Sequence, residues 1–281
     1  MCAIISENIV LHGVYKMQKA NQYITELKKQ LLYEMEHQKR NGVYGYIQRT
    51  MAYNSNKIEG STLTELQTAN IFETGTVCSD NENIIYRTKD IEEMTGHFRM
   101  LNNTLKKIDE PLSTNIIKEM HYNLKVGVFE DYINGYPCGE FKNRRNQVST
   151  IITALPQDVP SRMQELIDEY NKIKNPSLID LAKFHAEYET IHPFQDGNGR
   201  TGRMILFRES LKHNMIPIII QNKNKAEYIM HLHQAQTKHI LGGLASYLNR
   251  EQGDLYSITI DMVLPQELTH NCQNQIDDLE L

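Results

Sequence analysis

One short run of the chain, I-H-P-F-Q-D-G-N-G-R-T-G-R from Ile191 to Arg203, gathers an imidazole, a carboxylate, three glycines and two guanidinium groups. An imidazole can exchange a proton near neutral pH, so His192 is a candidate general base for a hydroxyl nucleophile. Gly197, Gly199 and Gly202 let the backbone turn tightly and come close to a ligand. A helix that starts near Asn198 points its free N–H groups and positive dipole end at the G-N-G turn, a geometry that binds phosphate. Arg200 and Arg203, three apart, share one face of that helix and can reach the same anion. Asp196 would repel phosphate unless a cation lies between them, and Mg²⁺ bridging two phosphates meets that need. Pro193 stops the preceding helix, and Phe194 anchors the loop.

The run does not end in G-K-[ST], so it is not a Walker A loop. The segment before it reads as helix rather than strand, which excludes a dinucleotide fingerprint. The elements that position it are read from apolar spacing. Helices are predicted from about Val14 to Arg40, then through Ile47 and Met51 to Lys57 after an interruption at Gly42 and Gly45. A short helix follows Ser61-Thr62, with either residue as its N-cap. Further helices are predicted over Ile84 to Lys107 and after the Ser113 cap. Gly127 to Pro160 reads as irregular chain with a β-hairpin around V-S-T-I-I-T. Helices resume at Ser161 to Lys174, Leu178 to Thr190, Asn198 to Lys212, about Lys223 to Gln236, and Lys238 to Arg250. From Gly253 the sequence is mixed and polar. The fold class is mainly α, and no strand–helix alternation supports a doubly wound sheet.

At 281 residues with 40% hydrophobic and 23% charged residues, the chain has the composition of a globular protein. Its net charge of -5 weighs against a dedicated nucleic-acid binder. Cys2, Cys78, Cys138 and Cys272 are scattered without C-x-x-C spacing, as free thiols in a reducing compartment would be. With no basic leader and no apolar run long enough to span a bilayer, the expectation is a cytoplasmic protein that uses neither membrane nor nucleic acid. His231, His233 and His239 form H-x-H-x5-H, but helical positions two apart diverge, so a polar face is favoured over a metal site. Lys142, Arg144 and Arg145 read as solvated charge, with an acidic target or phosphate as the sharper option. His185 shares a helical face with His192 and reads as a buried supporting residue.

The whole run matches H-x-F-x-[DE]-G-N-G-R-x-x-R and so resembles the signature of the Fic (filamentation induced by cAMP) family. The resemblance extends over roughly Tyr53 to Leu248. It implies a helical bundle with a β-hairpin flap, here Asn143 to Thr153 and including Val148, lying over the active site. It implies a protein adenylyltransferase that moves AMP from ATP to a hydroxyl side chain and releases pyrophosphate. In that reading His192 deprotonates the acceptor and Asp196 holds Mg²⁺. Gly197, Asn198, Gly199, Arg200 and Gly202 cradle the nucleotide, and Arg203 pairs with the γ-phosphate. Tyr228 and Gln236, with Val148, lie near the nucleotide; Gln236 departs from the family's common Asn. ATP and Mg²⁺ are the implied cofactors. The implied partner is a protein bearing a Tyr, Ser or Thr acceptor, the chain itself among the options. A homodimer is one option for the oligomeric state.

Upstream, S-N-K-I-E-G from Ser55 to Gly60 resembles the family's inhibitory motif, [ST]-x-x-x-E-[GN], placed N-terminal to the core as in class II members. Ser55 and Glu59 are four apart and share a helical face. The resemblance implies that Glu59 pairs with Arg203 and keeps the γ-phosphate out. The chain then divides into a helical region carrying this motif (1–110), a catalytic core (111–252) and a C-terminal extension (253–281). Three alternatives stay open: a hydrolase that removes AMP with Glu59 orienting water, transfer of another nucleotide such as UMP, and a binding or regulatory module with a degenerate site, which the intact motif favours least.

Overall fold

The computed structural model describes residues 2–77, 86–148 and 151–264, with first-helix side chains from Gln18 onward and without the Val148 side chain. Within those residues lie α1 (Cys2–Glu36), α2 (Val43–Ile58), α3 (Glu65–Thr74), α4 (Thr88–Lys106), α5 (Thr114–Lys125) and α6 (Phe129–Asn134). After an antiparallel hairpin, β1 (Gln147–Val148) and β2 (Ile151–Ile152), come α7 (Val159–Asn171), α8 (Leu178–Ile191), α9 (Asn198–Lys212), α10 (Lys225–Lys238) and α11 (Gly242–Val263). The architecture is the mainly α bundle with one small hairpin that the apolar spacing predicts.

The bundle is built around α9. Met204, Ile205, Leu206, Phe207 and Leu211 are buried on its several faces, against α2, α4, α5 and α8. A helix wrapped on all sides belongs to the core, so its charged residues Arg200, Arg203, Arg208 and Glu209 must find partners inside the protein. Two of those four carry the candidate chemistry.

Local chemistry sets where the surrounding helices begin. Ser113 caps α5 by accepting from the Ile116 N–H, and Ser177 with Asp180 forms a capping box on α8. The α3 cap is Thr64, paired with Gln67, rather than Ser61 or Thr62. Thr62 is already used: its N–H and hydroxyl both donate to the Asp90 carboxylate, at 2.8 and 2.6 Å.

Other differences from the sequence expectation also have physical causes. Gly45 lies inside α2 rather than breaking it; a Cβ there would come within 1.7 Å of the Arg40 carbonyl, so the glycine marks a close approach. α6 is too short to show a period. The stretch from Gly253, which reads as mixed and polar, continues α11 to Val263 because Leu255, Thr259 and Val263 stay on the buried face. There Thr259 shares a 2.5 Å hydrogen bond with the Tyr23 hydroxyl of α1. Cys78, Ile84 and Cys272, and all of residues 265–281, lie outside the described residues.

Candidate active site

His192 ends α8 with φ 52° and ψ 63°, the left-handed region that a side chain enters at a cost of about 1 kcal/mol or more. Its neighbours hold it there. The Ile191 carbonyl accepts from the Ala154 N–H at 3.3 Å, and the Pro193 carbonyl accepts from the Lys142 N–H at 2.9 Å. The buried Lys142 ammonium also donates to Asn146, Thr153 and the Ile191 carbonyl, at 2.6, 3.1 and 3.3 Å. Burial, with help from Arg162, lowers its pKa to about 8. Lys142 therefore stitches the base of the hairpin to the histidine turn and is not a solvated charge. Arg144 and Arg145 are exposed.

On the far side of the turn, the Asn198 amide accepts from the Phe194 N–H and donates to the Phe194 carbonyl, both at 2.8 Å. Its side chain closes the loop, leaving only its main-chain N–H to face an anion. Gly197, at φ 82°, stands at the N-cap of α9, and no side chain caps that helix start. Such orphan N–H groups attract an anion. Glu59, at the C-terminal end of α2, supplies one. A Cβ on Gly199 would lie 2.3 Å from the Glu59 carboxylate, which therefore sits directly over the first turn of α9.

The same carboxylate reaches Arg203: Nη2 donates to Glu59 Oε1 at 2.7 Å. Arg203 also donates to the Ser55 hydroxyl at 2.9 Å and the Ser55 carbonyl at 3.0 Å. Burial opposes the Arg203 charge, yet the nearby Glu59 keeps its pKa raised. The predicted juxtaposition of Ser55, Glu59 and Arg203 is thus present in the geometry.

Asp196 sits between cations. Lys125 Nζ lies 2.8 Å from it, Arg200 Nη2 3.3 Å and Lys89 3.5 Å. Burial alone would raise its pKa, but the charges of Arg200, Lys125 and Lys89 hold it well below the usual carboxylate range. Arg200 is fully enclosed and pairs with Glu93, with Asn56 at 3.3 Å. Among the described residues, no group of three or more His, Cys, Asp or Glu could hold a metal. A divalent ion here would take one carboxylate, Asp196, and fill its shell with water and phosphate oxygens, as Mg²⁺ commonly does. The Asp196 side chain stays one-third exposed, so the donor set fits that role.

Tyr228 is buried; its hydroxyl bonds His185 Nε2 at 2.7 Å. Gln236 lines a cavity of about 500 Å³ with Ile151, Glu189, Ile229, Met230 and His233, beneath the hairpin. The Val148 side chain lies outside the described residues.

Several residues in the site escape a linear reading. Lys125, 1% exposed, bridges Glu93, Asp131 and Asp196 at 2.6, 2.7 and 2.8 Å. His121 stacks on Phe194 with ring centres 3.9 Å apart, accepts from the Gly139 N–H at 3.0 Å and donates from Nε2 to the Asp196 carbonyl at 3.0 Å. These residues, on α4, α5 and α6, hold the Asp196 loop.

The helical bundle thus sets a histidine and an aspartate beside an uncapped helix start, with a buried arginine alongside, an arrangement that can hold an anion next to an imidazole. Residues 111–208 match the sequence model of the Fic/DOC family. A Nematostella vectensis protein named protein adenylyltransferase Fic is 26% identical over 187 residues, covering 65% of this chain and 42% of that protein. An Aedes aegypti protein of the same name is 29% identical over 231 residues, covering 80% and 43%. The chain thus spans less than half the length of these curated relatives. The crystal structure of a Fic-domain-containing signaling protein from Bacteroides thetaiotaomicron superposes with a TM-score of 0.69 at 25% identity, covering 84% of this chain and 96% of that one.

Proposed function

We propose that this chain is a protein adenylyltransferase, held inactive by Glu59. The observation that carries the reading is the placement of His192 and Asp196 in the loop that leads into the uncapped α9 helix start, with Arg203 in the helix just beyond, inside residues that match the Fic/DOC model. The curated relatives named protein adenylyltransferase support the same chemistry.

In the proposed reaction an acceptor hydroxyl oxygen attacks the α-phosphorus of ATP while the bond to the β-phosphate oxygen breaks. AMP joins the acceptor, pyrophosphate leaves, and His192 takes the hydroxyl proton. The main-chain N–H groups of Asn198 and Gly199 and the dipole of α9 face the phosphates. Gly197 and Gly202 allow the close approach of loop and helix. Arg203 pairs with the γ-phosphate, and Arg200 fixes Asp196. Mg²⁺, held by Asp196, would neutralise phosphate charge when bound. The base lies in the cavity beneath the hairpin near Gln236, with Tyr228 supporting it from the buried side. The hairpin, carrying Val148, aligns the target segment.

Glu59 blocks this arrangement twice, by occupying Arg203 and by placing a carboxylate where phosphate must sit. The partner is a protein with an acceptor hydroxyl, in a cytoplasmic, reducing setting that suits the free thiol of Cys138. The reading is tested by incubating the Glu59→Gly protein with a cell lysate and ATP–Mg²⁺ and identifying modified peptides by mass spectrometry. The expected product is AMP on a Tyr, Ser or Thr. No modified peptide, or a UMP adduct when all nucleotides are supplied, would overturn it. Running wild type on a recovered AMP-modified target exposes the hydrolytic alternative.

A further inference from the structure

We propose that Glu189 is the positioning residue of His192, accepting the proton on Nδ1 so that the Nε2 lone pair faces the acceptor hydroxyl. The Glu189 side chain is buried in the last turn of α8, three residues before His192. Its Oε2 lies 3.7 Å from His192 Nδ1. That Nδ1 is buried and has no hydrogen-bond partner, and neither has Glu189 Oε1. The unpartnered ring nitrogen thus faces the Oε2 of that carboxylate at 3.7 Å, about half an ångström beyond hydrogen-bond length.

A buried carboxylate is costly unless it is paired, and His192 is the partner that comes within ion-pair reach of Glu189, although His185 Nδ1 and the Tyr188 hydroxyl nearby are also without partners. The groups facing Glu189 are His185, Tyr188 and His192 from α8 and its end, Arg203 from α9, and Tyr228 from α10. Arg203 is spent on Glu59 and on both oxygens of Ser55. His185 gives its Nε2 to the Tyr228 hydroxyl at 2.7 Å. Burial would raise the Glu189 pKa, but the nearness of His192 and the charges of His185 and Arg203 keep it low, so it stays a carboxylate. The position is also prepared from α9: a Cβ on Gly202 would fall 2.4 Å from Glu189 Oε1, so that glycine is what admits the carboxylate.

The backbone of His192 is pinned in its left-handed turn, so ring rotation and tautomer are the remaining freedoms, and Glu189 fixes both. In the adenylyltransferase reading, on which the kinetic half of this inference rests, the acceptor proton moves to Nε2 as the oxygen bonds phosphorus and pyrophosphate departs. The resulting imidazolium keeps its Nδ1–H on the Glu189 carboxylate. Misplacing a tautomer in such an arrangement is expensive in rate.

The test uses Glu189→Ala and Glu189→Gln in the full chain carrying Glu59→Gly. Side-chain ¹⁵N spectra, assigned with His192→Ala, read the His192 tautomer in the absence of nucleotide. The parent and Glu189→Gln, whose amide oxygen still accepts, should show Nδ1–H, whereas Glu189→Ala should move toward Nε2–H. AMP transfer by Glu189→Ala should fall about 100-fold in kcat measured at saturating ATP, and Glu189→Gln should lose about 10-fold. An unchanged tautomer in Glu189→Ala overturns the proposal, as does a kcat within about 2-fold of the parent. If the alanine variant does not fold, the near-isosteric glutamine variant decides through its kcat. A parent that transfers no AMP would refute the adenylyltransferase reading instead, and the tautomer spectra would still decide the role of Glu189.

Discussion

Removing the Glu59 carboxylate should tighten ATP binding markedly, and the structure sets the scale. Arg203 is 4% exposed and meets Glu59 at 2.7 Å. Two unit charges about 4 Å apart at an effective dielectric of about 20 attract by about 4 kcal/mol. The Glu59 side chain is 38% exposed, so water screens much of that. A net value of about 2 kcal/mol, typical of a hydrogen bond to a charged group, is the better figure. Glu59→Gly also lifts a negative charge from the first turn of α9, where phosphate must approach. Together these predict a Kd for ATP–Mg²⁺ lower by about 30-fold or more. Glu59→Gln, which keeps the shape but not the charge, should fall between the two. The assay is isothermal titration in a His192→Ala background, where turnover cannot distort the heats. A Glu59→Gly affinity within about threefold of its parent would refute the competition between Glu59 and phosphate.

Lys125→Met should destabilise the fold by about 3–5 kcal/mol, because it strands the buried Asp131 carboxylate and leaves Glu93 with Arg200 alone. Urea denaturation measures it, and a loss under about 1 kcal/mol would show that the cluster reorganises without its cation. Stability should also fall on acidification below neutrality. Burial lowers the histidine pKa values to about 3 for His97 and His121 and to about 4 for His185. Between those values and the ordinary value near 6.5, the unfolded chain binds protons that the folded chain refuses. The stability is complete above about 6.5 and drains as pH falls, by about 1.4 kcal/mol per unit for each histidine. Denaturation midpoints that do not move between about pH 7 and 5 would contradict this.

The chemistry of the site was legible where it is local. The glycines and arginines of Ile191 to Arg203 announce a helix start for an anion, and α9 begins at Asn198 as read. The contact of Glu59 with Arg203 crosses the chain, yet a short motif carried it. What stayed hidden was the scaffold around Asp196, because Glu93, His121, Lys125 and Asp131 come from three helices that meet only in the fold. A signal was present: His121 and Lys125 stand four apart inside the apolar stripe of Ile117, Met120 and Leu124, and Glu93 and His97 stand four apart beside Met94 and Leu101. Polar residues repeated at helical spacing within a buried stripe ask for partners. Asn198 shows the opposite limit, since its type suited a phosphate contact while its amide closes the loop on Phe194. Lys142, read as surface charge, is buried because the hairpin base folds over it.

The central claim, a histidine base beside an anion-binding helix start that transfers AMP, is tested most directly with ATP labelled at the α- or γ-phosphate. The Glu59→Gly protein should pass the α-label, and not the γ-label, to protein, and adding His192→Ala should abolish it. Transfer of the γ-label, or α-label transfer that survives loss of His192, would contradict the account.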